Sequence, residues 1–315
     1  MIKYIVIFYL ALTNLYADNN YYTSNFKKSD LKNLKKEWIY QSNIFKDTQT
    51  KPASYKDKII FLDGYKNLRV LSLYDGKELC VNKGKKDRGY HRGIGIYEKN
   101  KKEVFAVFAR HGKISLVNIL NCKEKNINFP AKKGHIISAP ILVYKNIAYI
   151  LFNGRSPLAL NLDSGKILWE GKIKKNDLSK LKKKNLNNQI AWDVWGGGVI
   201  DLKYNQLIFS TANAKPSWTS KNRLGPNLFY NSVVSVDLNN GKYKWHFQEI
   251  EHDLWNLDLA APPILLNLNQ LDYVVQATKT GQLILLNREN GKPIEEVIEK
   301  KFDLNDDNIN TNTIK

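Results

Sequence analysis

Five histidines, two cysteines and 30 acidic residues are the side chains of this 315-residue chain that could serve as bases, nucleophiles or metal ligands. Their spacing fits none of the local catalytic motifs. There is no glycine-rich loop ending in Gly-Lys-Ser/Thr, no His-Glu-x-x-His, no Cys-x-x-Cys and no Gly-x-Ser-x-Gly elbow. His91, His111, His135, His246 and His252 do not stand at zinc-binding intervals. His246 and His252 are close, but a strand and the loop after it suit structural hydrogen bonding better than ligation. Cys80 and Cys122 fit either a disulfide or a pair of buried thiols. Any chemistry must come from side chains that the fold gathers from distant segments.

Charge narrows the field. Lys plus Arg is 49 against 30 Asp plus Glu, a formal charge of +19. Only seven of those cations are arginine (Arg69, Arg88, Arg92, Arg110, Arg155, Arg223 and Arg288). Bidentate recognition of phosphate or guanine favours arginine, so a lysine surplus spread through Asn-rich loops reads as a solvated surface and argues against nucleic acid. The first 17 residues are set apart: Lys3, an apolar run from Tyr4 to Leu12, and Leu15-Tyr16-Ala17 before Asp18 make a secretory signal pattern. Thr13 and Asn14 interrupt the run short of a membrane span. The expectation is a soluble periplasmic chain, touching a membrane only if that segment stays uncleaved.

Repetition sets the architecture. Leu73-Tyr74-Asp75-Gly76-Lys77, Leu162-Asp163-Ser164-Gly165-Lys166, Val236-Asp237-Leu238-Asn239-Asn240-Gly241-Lys242 and Leu286-Asn287-Arg288-Glu289-Asn290-Gly291-Lys292 are copies of one hairpin turn, with a degenerate copy at Asn118-Ile119-Leu120-Asn121-Cys122-Lys123. Gly76, Cys122, Gly165, Gly241 and Gly291 follow one another at 46, 43, 76 and 50 residues. That period suits four-stranded propeller blades of about 40 to 50 residues. The long interval contains a Lys/Asn-rich insertion, Lys172 to Gln189, and a short helix is expected near Ser29 to Trp38. The fold is therefore read as an all-β propeller over 18–299 with about five blades and an incomplete ring. A polar tail over 300–315 has no strand pattern.

Against that frame, the second half resembles the pyrroloquinoline-quinone (PQQ) dependent alcohol and sugar dehydrogenases, whose propellers are eight-bladed. The strings that carry the resemblance are Trp195-Gly196-Gly197-Gly198, Thr211-Ala212-Asn213, Asn231-Ser232-Val233-Val234-Ser235-Val236-Asp237, Lys244-Trp245-His246-Phe247-Gln248, His252-Asp253-Leu254-Trp255-Asn256-Leu257-Asp258-Leu259-Ala260-Ala261-Pro262-Pro263 and Gln276-Ala277-Thr278-Lys279-Thr280-Gly281. Arg92-Gly93 followed by Tyr97 resembles an arginine-bearing loop of the family. The resemblance implies that Trp195 is the floor under the planar quinone. It implies that Lys279 hydrogen-bonds the reactive quinone oxygens, that Arg92 pairs with a cofactor carboxylate, and that Asn213 is an amide ligand of calcium.

Departures from the pattern matter as much. The position that resembles the general base is Asn256, and an amide cannot take a hydroxyl proton. Asp258, two residues on, is retained and is expected on the same side of an extended segment, as a displaced base or a metal ligand. The acid expected near 152–159 for the calcium site is missing, so the ligand set is incomplete. The resemblance implies a periplasmic quinoprotein oxidising an alcohol or sugar hydroxyl and passing electrons to a respiratory acceptor, truncated or inactive through Asn256. The alternative is a non-catalytic propeller that scaffolds proteins in the cell envelope.

Overall fold

The computed structural model describes residues 28–294 apart from 43, 45–47, 85–90, 129–135, 172–192, 220–226 and 269. The signal-like segment, the Lys172 to Gln189 insertion and the polar tail lie outside the described residues. Five antiparallel sheets follow one another along the chain, each built from consecutive strands in meander order. The first contains β1 (Ala53–Tyr55), β2 (Lys58–Leu62), β3 (Leu68–Ser72) and β4 (Glu78–Asn82). The second contains β5 (Gly95–Asn100), β6 (Glu103–Arg110), β7 (Lys113–Asn118) and β8 (Glu124–Asn128). The third is β9 (Leu142–Tyr144), β10 (Ile147–Ile150), β11 (Leu158–Asn161) and β12 (Ile167–Glu170). The fourth is β13 (Gly198–Asp201), β14 (Gln206–Ser210), β15 (Ser232–Asp237) and β16 (Tyr243–Gln248). The fifth shows three strands, β17 (Ile264–Leu268), β18 (Leu271–Ala277) and β19 (Leu283–Asn287).

Apolar side chains alternate along most strands, and both faces of the middle sheets are buried. Ile60, Leu62 and Val70 of the first sheet pack on Ile96, Ala106 and Val117 of the second. The opposite face of the second, with Phe105, Val107 and Leu116, packs on Val143, Ile150 and Leu160. Tyr149 and Trp169 then meet Leu207, Phe209 and Val236. Ile208, Val233 and Trp245 meet Leu265, Val274 and Leu286. Innermost strands lie side by side, β1 with β5, β5 with β9, β9 with β13 and β13 with β17. This is the blade arrangement expected from the repeat, forming an arc with no closed ring among the described residues.

The repeated turn has a physical job. At Gly76, Cys122, Gly165, Gly241 and Gly291 the backbone N–H donates to the carbonyl four residues earlier, at 2.8–3.0 Å. All five residues take positive φ, between 54° and 70°. An Asn or Asp opens most of these turns and caps them: Asp237 Oδ1, for example, accepts the N–H groups of Asn239 and Asn240. Glycine is required at three of the turns by a neighbour as well as by φ. A Cβ on Gly241 would come within 2.4 Å of the Trp169 ring, on Gly291 within 2.2 Å of Trp245, and on Gly76 within 2.5 Å of Trp38. In the third and fourth sheets the outer strand thus lays an indole on the turn of the next sheet, and Trp38, ahead of the first sheet, does the same at Gly76. The Trp169 Nε1–H donates to Leu238 O at 3.0 Å, and Trp38 Nε1–H to the equivalent Leu73 O at 3.0 Å.

One open alternative is decided here and one expectation changes. Cys80 stands four residues after Gly76, as Trp169 does after Gly165, while Cys122 takes a turn-glycine position. The two are joined in a disulfide, which replaces the indole dock between the first and second sheets. The helix expected near Ser29 to Trp38 is only a short 3-10 turn, Lys28–Asn33. Capture of Trp38 by Gly76 keeps the following segment out of a helix.

Candidate functional site

Chain segments entering the inner strands meet at one end of those strands. Arg92 precedes β5, Trp195 precedes β13 and Asp258 precedes β17, while Asn213 follows β14 and Lys279 lies in the turn between β18 and β19. The Trp195-Gly196-Gly197-Gly198 string is dictated by close approach. A Cβ on Gly196 would lie 2.6 Å from Ala260 O and one on Gly198 2.6 Å from Ile208 O, and Gly197 has φ +114°. The indole is therefore held on bare backbone, half-buried at the axis.

The structure brings all six expected residues into one cluster of contacts, Asn213 and Asn256 through their backbone alone. The Arg92 guanidinium carbon lies 3.6 Å from the centroid of the Trp195 ring, and Lys279 Nζ lies 5.9 Å from it. Nζ donates to Asp258 Oδ2 at 2.5 Å and to Asn256 O at 2.8 Å. Asp258 Oδ1 accepts the Asn213 backbone N–H at 2.9 Å. Both Asp258 and Asn213 are buried, whereas a third of the Lys279 side chain faces solvent. Burial works against the charge of Arg92 and pulls its pKa below the ordinary arginine value, with the Asp258 carboxylate opposing this. Arg92 Nε is buried without a hydrogen-bond partner.

Asn256 departs from its expected geometry. Its φ is +58°, so the segment from Asn256 to Asp258 is not extended, and what it offers Lys279 is its backbone carbonyl. The loop takes this course because Asp253 shapes it. Asp253 Oδ1 accepts Trp255 N–H at 2.7 Å, and Oδ2 accepts Leu257 N–H at 2.8 Å and an Asn231 Nδ2–H at 3.1 Å. Asn231 donates also to Leu257 O at 2.9 Å. The aspartate of the His-Asp-x-Trp string is thus a loop former, and Trp255 is left largely exposed. His252 meets Asn227 and His246 meets the Tyr243 hydroxyl, the structural roles expected of them.

Sequence reasoning missed Glu249, between β16 and β17. Burial raises its carboxyl pKa to about 7; hydrogen bonds from Thr280 and Thr278 oppose this and the Asp253 charge adds to it. Its Oε1 accepts from Thr280 at 3.4 Å, its Oε2 is buried without a partner, and its N–H donates to Asn231 O. It bridges the Asp253 loop and the Lys279 turn. Nothing in the string Gln248-Glu249-Ile250 signals burial; only the folded loops show it.

What the cluster could hold follows from its donors. An indole flanked by two cations suits a planar, negatively charged ligand. Arg92 covers one ring face and forms no ion pair among the described residues, which leaves its charge unspent for a ligand carboxylate. A calcium ion is a poor fit. It takes about six to eight oxygen ligands, while the one buried carboxylate in contact here is already bound by Lys279 and a backbone N–H. The stretch 152–159 has no acid; Asn153 Nδ2 bonds Ser138 and Arg155 pairs with Glu170. Among the described residues no three His, Cys, Asp or Glu side chains are grouped to hold a metal.

Comparison with known proteins agrees with this fold. Residues 99–310 match the family model described as PQQ, the glucose/ethanol/alcohol dehydrogenase beta-propeller domain. A quinohemoprotein alcohol dehydrogenase of Comamonas testosteroni is 34% identical over 114 residues, 32% of this chain and 16% of that protein. A quinoprotein alcohol dehydrogenase of Pseudomonas putida is 29% identical over 190 residues, 51% of this chain and 32% of that protein. The chain therefore corresponds to under a third of the length of these relatives. The structure of a quinohemoprotein alcohol dehydrogenase from Pseudomonas putida HK5 superposes with a TM-score of 0.68 at 18% identity, over 83% of this chain and 43% of that one. By its repeat, its sheet order and a family match that spans most of its length, the chain belongs to the PQQ glucose/ethanol/alcohol dehydrogenase beta-propeller family.

Proposed function

We propose that the chain is a periplasmic quinoprotein dehydrogenase-like propeller that binds pyrroloquinoline quinone on Trp195 and acts weakly, or not at all, on an alcohol or sugar hydroxyl. The observation that carries this reading is the meeting of Trp195, Arg92 and Lys279 at one axial end. When bound, the quinone would supply a two-electron acceptor, to be reoxidised by a respiratory partner. Trp195 would stack its plane, Arg92 would take a carboxylate, and the Lys279 ammonium would donate toward a quinone oxygen, where negative charge grows on reduction. At the two positions expected to take the hydroxyl proton of a substrate, no free acceptor is present. Asn256 is an amide and both Asp258 oxygens are engaged, which forfeits a general-base contribution of about 10²- to 10⁴-fold. The Cys80–Cys122 disulfide suits an oxidising compartment and supports the periplasmic assignment.

The test is a tryptophan-fluorescence titration with pyrroloquinoline quinone. Saturable quenching lost in Trp195→Ala supports the reading, and substrate turnover is then compared between the native chain and Asn256→Asp. A folded protein that shows no quenching favours the envelope scaffold instead.

A further inference from the structure

We infer that the Lys279 ammonium is the resident cation of this site, so that the chain assembles it without a divalent metal. The inference rests on the quinone reading only for the ligand's identity. It stands on the placement of Nζ against Asp258 and Asn256. Nζ binds the buried Asp258 carboxylate directly, while the other carboxylate oxygen is fixed by the Asn213 backbone N–H. An ammonium has three donors. Two are used here, which leaves one for an acceptor on a ligand.

Asn256 completes the arrangement in a way a metal site would not. Its left-handed backbone, which asparagine tolerates better than most residues, turns the carbonyl onto Nζ. Its side chain brings no charge. Arg92 adds a second positive group whose field reaches Asp258. One carboxylate thus faces two cations, and the cluster is already net positive. A divalent ion sharing Asp258 would lie against a like charge with too few anionic ligands to compensate. The metal-ligand role implied for Asn213 has no carboxylate left to work with.

Terbium(III) tests this directly, because Trp195 lies close enough to sensitise a lanthanide bound at Asp258. The native chain is expected to give no tryptophan-sensitised emission that Asp258→Asn removes. Lys279→Met, and separately Lys279→Gln, should gain at least a tenfold increase in emission, lost again when Asp258→Asn is added. Far-ultraviolet circular dichroism checks that each variant folds. Saturable emission from the native chain that depends on Asp258 overturns the proposal, as does the failure of both Lys279 variants to gain a terbium site. A second arm titrates pyrroloquinoline quinone in chelator and in millimolar calcium. Affinities within about twofold support the proposal, and a tenfold dependence on calcium overturns it. Absence of quinone binding in both buffers counts against the quinone reading, and the terbium arm then decides the resident cation alone.

Discussion

Glu249 shows what a single side chain does here and why it escaped notice in the sequence. Its carboxyl titrates at about 7 in the fold against an ordinary value near 4.5. The folded chain therefore holds a proton that the unfolded chain releases between those values. Stability from this group is present in full below about pH 4.5 and is lost as pH rises through 7. Glu249→Gln should be close to neutral at pH 5 and stabilising at pH 8, by about 1–2 kcal/mol after allowance for partial solvent screening. Urea unfolding at the two pH values measures it; equal effects at both would refute the protonation argument. The residues that make the candidate site were legible because their strings run in a recognisable order. Their engagement was not. The Lys279 to Asp258 pair and the Arg92 to Trp195 stack join segments tens to over a hundred residues apart, and sheet packing alone decides which atoms meet.

Among the elements, the turn and its dock make the sharpest expectations. Trp169→Ala removes a buried indole and a hydrogen bond to Leu238 O; it should cost about 3–5 kcal/mol in chemical denaturation. Cys80→Ala with Cys122→Ala should cost about 2–4 kcal/mol under oxidising conditions and almost nothing once the native disulfide is reduced. Cys80→Trp with Cys122→Gly installs the dock used elsewhere and should recover part of that loss. Equal stability of the two double variants would show that the register match between cysteine and tryptophan positions has no energetic content. The turns themselves were readable from Gly, Asn and Asp at fixed offsets. Trp38 was not, since its spacing also fitted a helix and only Gly76, far along the chain, decides its role.

For the whole molecule, the fifth sheet is unlike the others. Its face away from the fourth sheet exposes Ile264, Leu266, Leu268, Leu271 and Leu283. Ile264 pairs with Val275 and Leu268 with Leu271, so these side chains share one surface. Apolar patches of this kind drive association. Leu268→Lys with Leu271→Lys should lower light scattering at high protein concentration while leaving the denaturation midpoint within about 0.5 kcal/mol. Scattering that is unchanged would locate the sticky surface elsewhere. The count of about five blades was legible in the period of the repeat. The order of sheets then followed from short connections, which make sequence neighbours spatial neighbours.

The docks are not equal around the arc. At Gly165 the neighbour is the Ile127 methyl, with a Cβ contact of 3.1 Å, where the other junctions have an indole or a disulfide. The boundary between the second and third sheets is clasped at the rim by a hydroxyl instead: Tyr97 donates to Asp163 Oδ1, in the Gly165 turn, at 2.6 Å. In Tyr97→Phe, which removes that hydroxyl, amide hydrogen exchange should resolve two cooperative units, 53–128 and 142–287, with the seam opening more easily than in the native chain. A chain built from near-identical repeats would then breathe at one chosen joint, its ease of opening set by a single hydroxyl.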